Sequence, residues 1–504
     1  MKDSVKCLMG IDIGGTMVKA ALFNLEGREL TTVGKRLTIL YPGKDMNERS
    51  IAEAEKMTCE AIRGALETSG IDPADILGIG VTGQANGSYM FDENGKPTHN
   101  AVLSGDLRAK SYIKKWYSDG TYQKLLPKIR QAIWAGNVPA VIAWFKDNDR
   151  ATLDRTKTIV TAKDYVRYLL TGVFCLELTE ASGIAGMDQN VGAITEEIFS
   201  AYGIPEYLDR LPEKIAACTE IVGYVTEDFA GKTGLKAGTP VVGGQMDTGA
   251  SVVSAGVTDE TRWGIIVGTW GINTFLSREP IVSPDIFMVY HYCIDAFWQF
   301  MEGSSTSATN LEWFIDHFLD RENEEHIYEK CNQLVEQAPW RDTILFLPFL
   351  YGTNVNIDAK SAFIGLKGNH GPASLVRAIF EGVVFCHWYH LERLQKFAPM
   401  PNAIRMAGGA TRSKTWMQMF ADILGVSVEV SEAEELGALG VAMLAGVGVG
   451  VYKNVVEAAN ICTKISARYE PDMEKHAYYI KKYAAYKAVI NALDPVWEMI
   501  DTLG

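Results

Sequence analysis

The chain has 504 residues, which is long for one hydrophobic core and predicts two domains, with three as the alternative. Its 48 basic and 62 acidic residues give a net charge of −14, which argues against nucleic-acid binding because phosphate contacts need clustered Lys and Arg. No uninterrupted run of about 18 apolar residues occurs, and the first residues lack a signal-peptide pattern, so neither a membrane span nor secretion is expected. The 8 cysteines are scattered without a CxxC pair, which predicts reduced thiols and a cytoplasmic location.

The first predicted element is a hairpin with an acid beside its turn, in the stretch CLMGIDIGGTMVKAALFNLEG (7–27). Apolar residues on both sides of Gly14 and Gly15 predict two strands, and the glycines free the backbone for a tight turn. Backbone N–H groups and the Thr16 hydroxyl can then approach an anion. Asp12 would repel a bare phosphate unless a divalent cation such as Mg²⁺ lies between them. The motif indicates metal–nucleotide binding, with an ordinary glycine hairpin as the alternative.

The rest of the first half alternates predicted strands and helices. A helix is predicted to stop at Gly70, and ILGIGVTG (76–83) is predicted to be a strand running into a glycine. KTIVTAKDYVRYLLTG (157–172) predicts a strand followed by a helix that ends at Gly172. A further apolar strand, TPVV, leads to the glycine pair of GGQMD.

The opening pattern recurs near the middle of the chain. RWGIIVGTWGINTFLS (262–277) again predicts a strand, a glycine–threonine turn and a strand, without the acid. Two similar lobes would explain one repeat at half-length, and chance similarity of two glycine hairpins is the alternative. Further on we expect a long helix from about Pro372 to Phe397, and a strand, Gly-Gly turn and helix in 404–425, capped by Ser413 or Thr411. Residues 434–448 predict a small-residue helix suited to close packing.

Eight motifs together carry a family resemblance over essentially the whole chain. They are, in order, GIDIGGTMVKAALF, VTGQANG, AVLSGDLRA, DYVRYLLTG, VVGGQMDTGA, VGTWGINT, AGGATRSKTWMQMFADILG and EELGALGVAMLA. With them the sequence resembles the FGGY family of carbohydrate kinases. The resemblance implies an α/β fold of two ribonuclease-H/actin-like lobes with a cleft between them: an N-terminal lobe for sugar and metal (1–252) and a C-terminal lobe for ATP (253–504). It also implies ATP–Mg²⁺-dependent phosphorylation of a sugar or polyol hydroxyl.

The resemblance assigns a role to each motif residue. Asp12 is similar to the acid that positions Mg²⁺, and Asp247 in GGQMD is similar to the catalytic base, which also contacts the substrate. A base must lie within hydrogen-bond reach of the attacking hydroxyl, which a carboxylate can do. The residues similar to the family's ATP-binding positions are Gly14, Gly15, Thr16, Gly268, Thr269, Gly271, Gly408, Gly409 and Ser413.

On the substrate side the sequence departs from several branches of the family. Ala85 and Asn86 stand where xylulose kinases carry Met-His and glycerol kinases carry Arg-Glu, which argues against glycerol. Ser104 replaces a family Trp, and the Lys of a family PKLLW segment is absent. The segments LSGDLRA, IRQAIWAGNVP, SATNLEWF and FLPFLYGTN most resemble the L-xylulose kinase branch. The candidate substrate-binding residues are Gln84, Asn86, Asp106, Trp134 and Asp247, each with a structural alternative as turn, cap or core residue.

The predicted function is therefore ATP-dependent phosphorylation of a small sugar, with a ketopentose such as L-xylulose favoured. D-xylulose, erythritol or gluconate kinases remain alternatives, as do a non-catalytic sugar sensor on the same fold and an actin- or chaperone-like ATPase. Retention of both Asp12 and Asp247 favours an enzyme. The expected partners are the sugar and ATP, with no nucleic acid and no membrane, and the resemblance implies a homodimer.

Overall fold

The computed structural model describes residues 5–319, 321, 326–355 and 358–502. The described residues divide by contacts into two compact units, each assembled from several chain segments. Unit 1 consists of residues 5–258, 277–299 and 435–463, and unit 2 takes the remaining segments 259–276, 300–434 and 464–502. The α/β prediction with two lobes is confirmed by this architecture. The predicted lobe boundary between residues 252 and 253 stays a prediction, because family lobes and contact-based units are different divisions of the chain.

Unit 1 is built on a mixed sheet. Its strand order is Ile221–Tyr224, Pro240–Val242, Ile76–Gly83, Cys7–Ile13, Met17–Asn24 and Glu29–Arg36, with Gln245–Met246 also pairing beside Ile76–Gly83. The strands Cys7–Ile13, Ile76–Gly83 and Gln245–Met246 are parallel, whereas Cys7–Ile13 and Met17–Asn24 form the predicted antiparallel hairpin. Shorter strands are Glu48–Arg49, Tyr89–Phe91, Ala101–Val102, Thr158–Val160, Leu176–Glu177, Met187–Asp188, Ala193–Ile194, Ile215–Ala216 and Met288–His291.

Helices cover both faces of this sheet. The helices of unit 1 are Ile51–Ser69, Lys110–Ser118, Thr121–Ile129, Val138–Asn148, Arg150–Arg155, Ala162–Thr171, Leu178–Gly183, Glu196–Ala201, Glu227–Thr233, Asp247–Ser254, Leu436–Gly448 and Val455–Cys462, with 3₁₀ turns at Pro73–Asp75 and Pro205–Arg210. Gly70 and Gly172 end their helices with left-handed backbone, as predicted. Side chains of alternate residues in the opening strand, Met9, Ile11 and Ile13, are buried in the core.

Unit 2 repeats the plan with a second sheet. The strand order within it is Trp298–Ser304, Gly271–Ser277, Trp263–Val267, Ala403–Ala407, Ser427–Ser431 and Ile465–Tyr469. Leu345–Leu347 pairs with Ala362–Ile364. The helices are Thr309–Phe318, Ile327–Gln337, Pro372–Leu394, Lys414–Leu424 and Met473–Asp501, with a 3₁₀ turn at Gly409–Arg412. The predicted second hairpin, long helix and strand–turn–helix are therefore all present. Within the described residues, no helix has the length and apolar character needed to cross a membrane.

The small-residue helix Leu436–Gly448 packs unusually close to its neighbours in unit 1. A Cβ atom placed on Gly10 of the opening strand would lie 1.9 Å from the carbonyl oxygen of Ala438. On the opposite side of the helix, a Cβ on Gly440 would lie 2.1 Å from the carbonyl oxygen of Ala250. Glycine is needed at these positions because backbones touch there. The helix therefore fixes the opening strand and the helix Asp247–Ser254 relative to each other.

Replacing Gly440 by Ala should destabilise the protein, because the added methyl group meets a backbone carbonyl that cannot rotate away. We expect Gly440→Ala to lower the free energy of unfolding by about 1–3 kcal/mol in urea denaturation. The matched control is Gly231→Ala in the exposed helix Glu227–Thr233, where an added Cβ meets no atom within 4 Å. The control should be neutral or stabilising by up to about 1 kcal/mol. Equal effects of the two substitutions would contradict the close packing.

Candidate functional site

Three parallel strands of unit 1 bring two acidic side chains to one edge of the main sheet. Asp12 is paired in register with Thr82 on the neighbouring strand, and Thr82 is paired with Gln245 on the next. Asp247 follows two residues later as the first residue of the helix Asp247–Ser254. Because parallel strands end at the same edge of a sheet, Asp12 and Asp247 lie at that edge, and each is half-buried.

The two carboxyl groups influence each other electrostatically. Burial raises the pKa of Asp12 to about 6, with the Lys19 ammonium opposing this shift and the Glu435 carboxylate adding to it. Lys19 Nζ is itself bonded to the two Glu435 carboxylate oxygens at 2.7 and 2.9 Å. Burial first, and then the charge of Asp12, raises the pKa of Asp247 to about 7 against one backbone hydrogen bond from Thr248. The two acids therefore resist ionising together, a condition that a bound divalent cation relieves.

Asp247 is held from several sides. Its Oδ1 accepts a hydrogen bond from the Thr248 N–H at 2.7 Å, and the Thr248 Oγ1 lies 2.8 Å from the Tyr290 hydroxyl oxygen. The preceding Met246 N–H donates to Thr179 Oγ1 at 3.0 Å. Within the described part of the chain, no group donates a hydrogen bond to Asp247 Oδ2. One carboxylate oxygen is thus fixed and the other is available to accept a proton.

The turn beside Asp12 has an ordinary backbone. The Gly14 N–H donates to Met17 O at 2.9 Å, and the Gly15 carbonyl accepts from the buried Arg49 guanidinium. Neither glycine has left-handed backbone, and a Cβ at either would meet no heavy atom closer than 3.5 Å. The expectation that the turn requires glycine is therefore wrong. Glycine instead leaves the backbone open to approach beside the exposed Thr16.

The central glycine–threonine turn lies between two antiparallel strands of unit 2. The Gly268 carbonyl accepts a hydrogen bond from the Ala308 N–H at 3.0 Å, which ties the turn to the start of the helix Thr309–Phe318. Thr269 is exposed at its tip. A Cβ on Gly271 would lie 3.1 Å from Cε1 of the buried His387, so this glycine is closely packed.

The Gly-Gly turn lies at the same sheet edge as that hairpin turn, because Trp263–Val267 and Ala403–Ala407 are parallel neighbours. Gly408 has a φ of 95°, and a Cβ there would lie 2.5 Å from the carbonyl oxygen of Val267. Only glycine fits this backbone. Gly409 is exposed with no atom within 4 Å of its Cβ position, which leaves open space for a ligand.

Ser413 caps the helix Lys414–Leu424, as one of the two predicted alternatives. Its Oγ accepts from the Trp416 N–H at 3.0 Å and donates to Asn332 Oδ1 at 2.6 Å. The three segments predicted to bind ATP from unit 2 therefore occupy turns at strand ends and a helix start, where backbone N–H groups are accessible. Their contact with ATP stays a prediction.

Asn86 of the predicted sugar segment is wholly buried, and both ends of its side-chain amide are hydrogen-bonded. Its Nδ2 donates to Gly183 O at 3.1 Å and its Oδ1 accepts from Asn137 Nδ2 at 2.8 Å. Its backbone N–H donates to Glu180 Oε1 at 2.8 Å. Its φ of 61° is a left-handed conformation that Asn tolerates better than most residues.

Asp106 is also wholly buried and serves an internal ion pair. Its oxygens accept from Arg108 Nε at 2.9 Å and from the Asn47 N–H at 2.7 Å, while Arg108 also reaches Glu48 at 2.7 Å. Direct contact of Asn86 or Asp106 with a sugar therefore requires a conformational change, and that predicted role stays a prediction.

Gln84 and Trp134 are half-buried, so each keeps a surface that a ligand can reach. Gln84 Nε2 is buried without a hydrogen-bond partner in the described residues, and its N–H donates to Ile13 O at 2.9 Å beside the acidic edge. Trp134 stacks on Phe287 with ring centroids 5.4 Å apart. Their predicted role in substrate binding is not tested by these contacts.

Sequence reasoning missed the residues that surround the two acids. Glu435 is the second residue of the motif EELGALG, and the place of this acid directly before a small-residue helix was a usable signal. Lys19 lies opposite Asp12 in the predicted opening hairpin, so strand pairing within that hairpin could have indicated it. Thr179, Glu180 and Tyr290 reach the site only through contacts between distant segments, which no local pattern indicates.

Comparison with known proteins identifies the family. Residues 7–254 match the model of the N-terminal domain of the FGGY family of carbohydrate kinases, and residues 264–449 match the C-terminal domain of that family. The L-xylulose/3-keto-L-gulonate kinase of Escherichia coli is 36% identical over 96% of this chain and 97% of its own length. A probable L-xylulose kinase of Pasteurella multocida is 34% identical over 96% of this chain and 98% of its own length.

Solved structures agree on the fold. A gluconate kinase from Lactobacillus acidophilus superposes with a TM-score of 0.89 at 21% identity, covering 99% of this chain and 100% of its own. A ligand-bound xylulose kinase from the same organism gives a TM-score of 0.89 at 20% identity, covering 98% and 100%. At these identities the likeness shows the fold alone, which is the predicted two-domain α/β sugar kinase fold.

Asp247→Asn should stabilise the ligand-free protein at high pH. A carboxyl group whose folded pKa is about 7, against 3.8 unperturbed, favours the folded state while protonated and loses this contribution as pH rises through 7. Asp247→Asn removes the ionisable group, and with it this loss of stability at high pH. Relative to the wild type, its free energy of unfolding should therefore be higher at pH 8 than at pH 5, measured by urea denaturation without Mg²⁺. Asp295→Asn, at an exposed turn of the same unit, is the control and should show no such trend. A pH-independent difference for Asp247→Asn would contradict the raised pKa of Asp247.

Proposed function

Because the chain belongs to the FGGY family of carbohydrate kinases, we propose that it phosphorylates a ketopentose, with L-xylulose the favoured substrate. As a member it uses ATP as phosphoryl donor. The substrate proposal is supported by relatives named L-xylulose kinase at 34–36% identity over nearly the full chain. D-xylulose, 3-keto-L-gulonate, erythritol and gluconate are the alternative substrates.

The observation that carries the catalytic proposal is the pair of half-buried acids Asp12 and Asp247 at one sheet edge. A non-catalytic sugar sensor has no use for a base whose pKa is raised and whose second oxygen is unengaged. Asp247 accepts the proton of the attacking sugar hydroxyl through Oδ2, while Thr248 fixes Oδ1. The orientation of the carboxylate is thus set before the substrate arrives.

The residues at this edge fit Mg²⁺. Among the described residues there is no cluster of three or more His, Cys, Asp or Glu arranged for a metal, and the proposed site uses the two carboxylates. Mg²⁺ is commonly held in this way, by one or two carboxylates with nucleotide phosphates and waters completing its shell. Asp12 would hold it, directly or through water, and a bound Mg²⁺ neutralises charge on the transferring phosphoryl group. Lys19 pairs with Glu435, and its ammonium also favours the ionised form of Asp12, which is the form that would bind the cation.

Asp12 also tunes the base. Its negative charge raises the pKa of Asp247, so an Asp12 that is paired with a cation lets Asp247 ionise near neutral pH. The open turn at Gly14, Gly15 and Thr16 lies directly after Asp12 and offers backbone N–H groups to phosphate. The exposed Thr269 and Gly409 turns of unit 2 offer similar groups, in keeping with the proposed ATP-binding role. A cytoplasmic location, predicted from the scattered cysteines, and a homodimer, implied by the family resemblance, remain part of this proposal.

The test is ADP release with Mg²⁺–ATP over a panel of acceptors. The panel contains L-xylulose, D-xylulose, both ribuloses, 3-keto-L-gulonate, glycerol, erythritol and gluconate. We expect the highest kcat/KM for L-xylulose and a loss of about 100- to 10,000-fold in Asp247→Asn, because only the proton acceptor is removed. Binding of ATP, followed by calorimetry, should be retained, and Asp295→Asn should match the wild type. Near-normal turnover in Asp247→Asn would refute the base assignment, and silence on the whole panel would refute the proposed substrate class.

A further inference from the structure

One short helix of unit 1 touches both the predicted sugar segment and the segment that carries the base. This helix, Leu178–Gly183, is capped by the Glu177 carboxylate, which accepts from the Thr179 N–H at 2.7 Å and from the Thr179 hydroxyl at 2.7 Å. Glu177, Thr179 and Glu180 are wholly buried. The helix is therefore held from within the core, not from solvent.

Toward the base, the contact is made by Thr179. Its hydroxyl donates to Glu177 and at the same time accepts from the Met246 N–H at 3.0 Å, one residue before Asp247. Since the Thr179 hydroxyl has one proton and it is given to Glu177, its lone pairs are directed to Met246. The Glu177 cap thus fixes the orientation of the Thr179 hydroxyl, which accepts the hydrogen bond from the strand Gln245–Met246.

Toward the sugar segment, the contact is made by Glu180 and Gly183. Glu180 Oε1 accepts from the Asn86 N–H at 2.8 Å, and the Gly183 carbonyl accepts from Asn86 Nδ2 at 3.1 Å. Asn86 adopts left-handed backbone, which costs free energy in a non-glycine residue and persists only when neighbours hold it. The two bonds from the helix supply that restraint for the segment 84–87.

The surroundings of Glu180 leave it without a salt bridge. Lys163 is bonded to Asp164 at 2.7 Å and to Glu177 at 3.2 Å, and Arg167 is bonded to Asp164 at 2.8 Å. Glu180 Oε2 is buried with no hydrogen-bond partner in the described residues. Burial, with the nearby acids adding to it and Lys163 opposing it, raises the pKa of Glu180 well above its ordinary value. Glutamine reproduces the shape of this side chain and its acceptor oxygen.

We propose that Thr179 and Glu180 are positioning residues of the kinase reaction: Thr179 sets the place of Asp247, and Glu180 sets the place of the sugar segment 84–87. Both lie on one rigid turn, so the helix Leu178–Gly183 fixes the separation between proton acceptor and substrate. Neither side chain touches the substrate, because both are wholly buried. The inference rests on the proposed function.

Steady-state kinetics of paired variants test the two positioning roles separately, beginning with Thr179. Thr179→Val removes the hydroxyl at constant volume and should lower kcat at least tenfold with the KM for ATP unchanged, because small displacements of a catalytic group are costly. Thr179→Ser keeps the hydroxyl and should stay within about threefold of the wild type. Thr58→Val, which removes another wholly buried threonine hydroxyl, is the control for a merely structural loss and should leave kcat unchanged.

To test the role of Glu180, we expect Glu180→Ala to raise the KM for the sugar at least tenfold without changing the KM for ATP. The KM values of Glu180→Gln should stay close to those of the wild type. Amide hydrogen exchange supplies a readout without turnover: Met246 should lose protection in Thr179→Val alone, and Asn86 in Glu180→Ala alone. The proposal is overturned if Thr179→Val and Thr179→Ser lose equally, or if the folded Thr179→Val and Glu180→Ala variants keep wild-type kinetics. A wild type inactive on every acceptor would instead refute the proposed function, and with it the positioning role.

Discussion

The site depends on the burial of two acids that the fold brings to one sheet edge, where the charge of Asp12 adds to the effect of burial on Asp247. Asp12 is the last residue but one of the opening strand and Asp247 starts a helix after a parallel neighbour, so the sheet itself sets their proximity. Burial raises the pKa of both acids, and the charge of Asp12 raises that of Asp247 further. In the proposed mechanism, this cost of ionisation makes the site favourable for Mg²⁺ and keeps the proposed base protonated until the metal–nucleotide binds.

The rest of unit 1 keeps the two acids in place. The helix Leu436–Gly448 contacts the opening strand at Gly10 and the helix Asp247–Ser254 at Gly440, through backbones that touch. The helix Leu178–Gly183 restrains the same region from another side through Thr179. These two helices act through rigid secondary structure and buried hydrogen bonds. Such restraints hold strained or mutually repelling groups in place at a small cost in flexibility.

Much of this arrangement could be predicted from the sequence, because the relevant signals were local. Most elements could be predicted from apolar strands, from glycine at the ends of helices and from the two glycine turns. The order of the motifs indicated the roles of Asp12 and Asp247. Long-range packing could not be predicted: nothing near Gly10 indicates Ala438, and nothing near Met246 indicates Thr179. Which polar side chains are buried could not be predicted from the sequence either. Asn86 and Asp106 have polar side chains typical of a sugar site, yet both are enclosed by hydrogen bonds to their own chain. The glycines of the first turn were expected for conformation and serve instead to leave space.

The most direct measurement is the pKa of Asp247 by carboxyl-¹³C NMR, with and without Mg²⁺–ADP. Asp247→Asn assigns the resonance. The account predicts a pKa near 7 in the ligand-free protein, because burial and the Asp12 charge both oppose ionisation, and a fall of at least one unit when Mg²⁺–ADP binds. A pKa near 4 in both states would show that burial and the Asp12 charge do not oppose ionisation of Asp247, and would contradict this prediction.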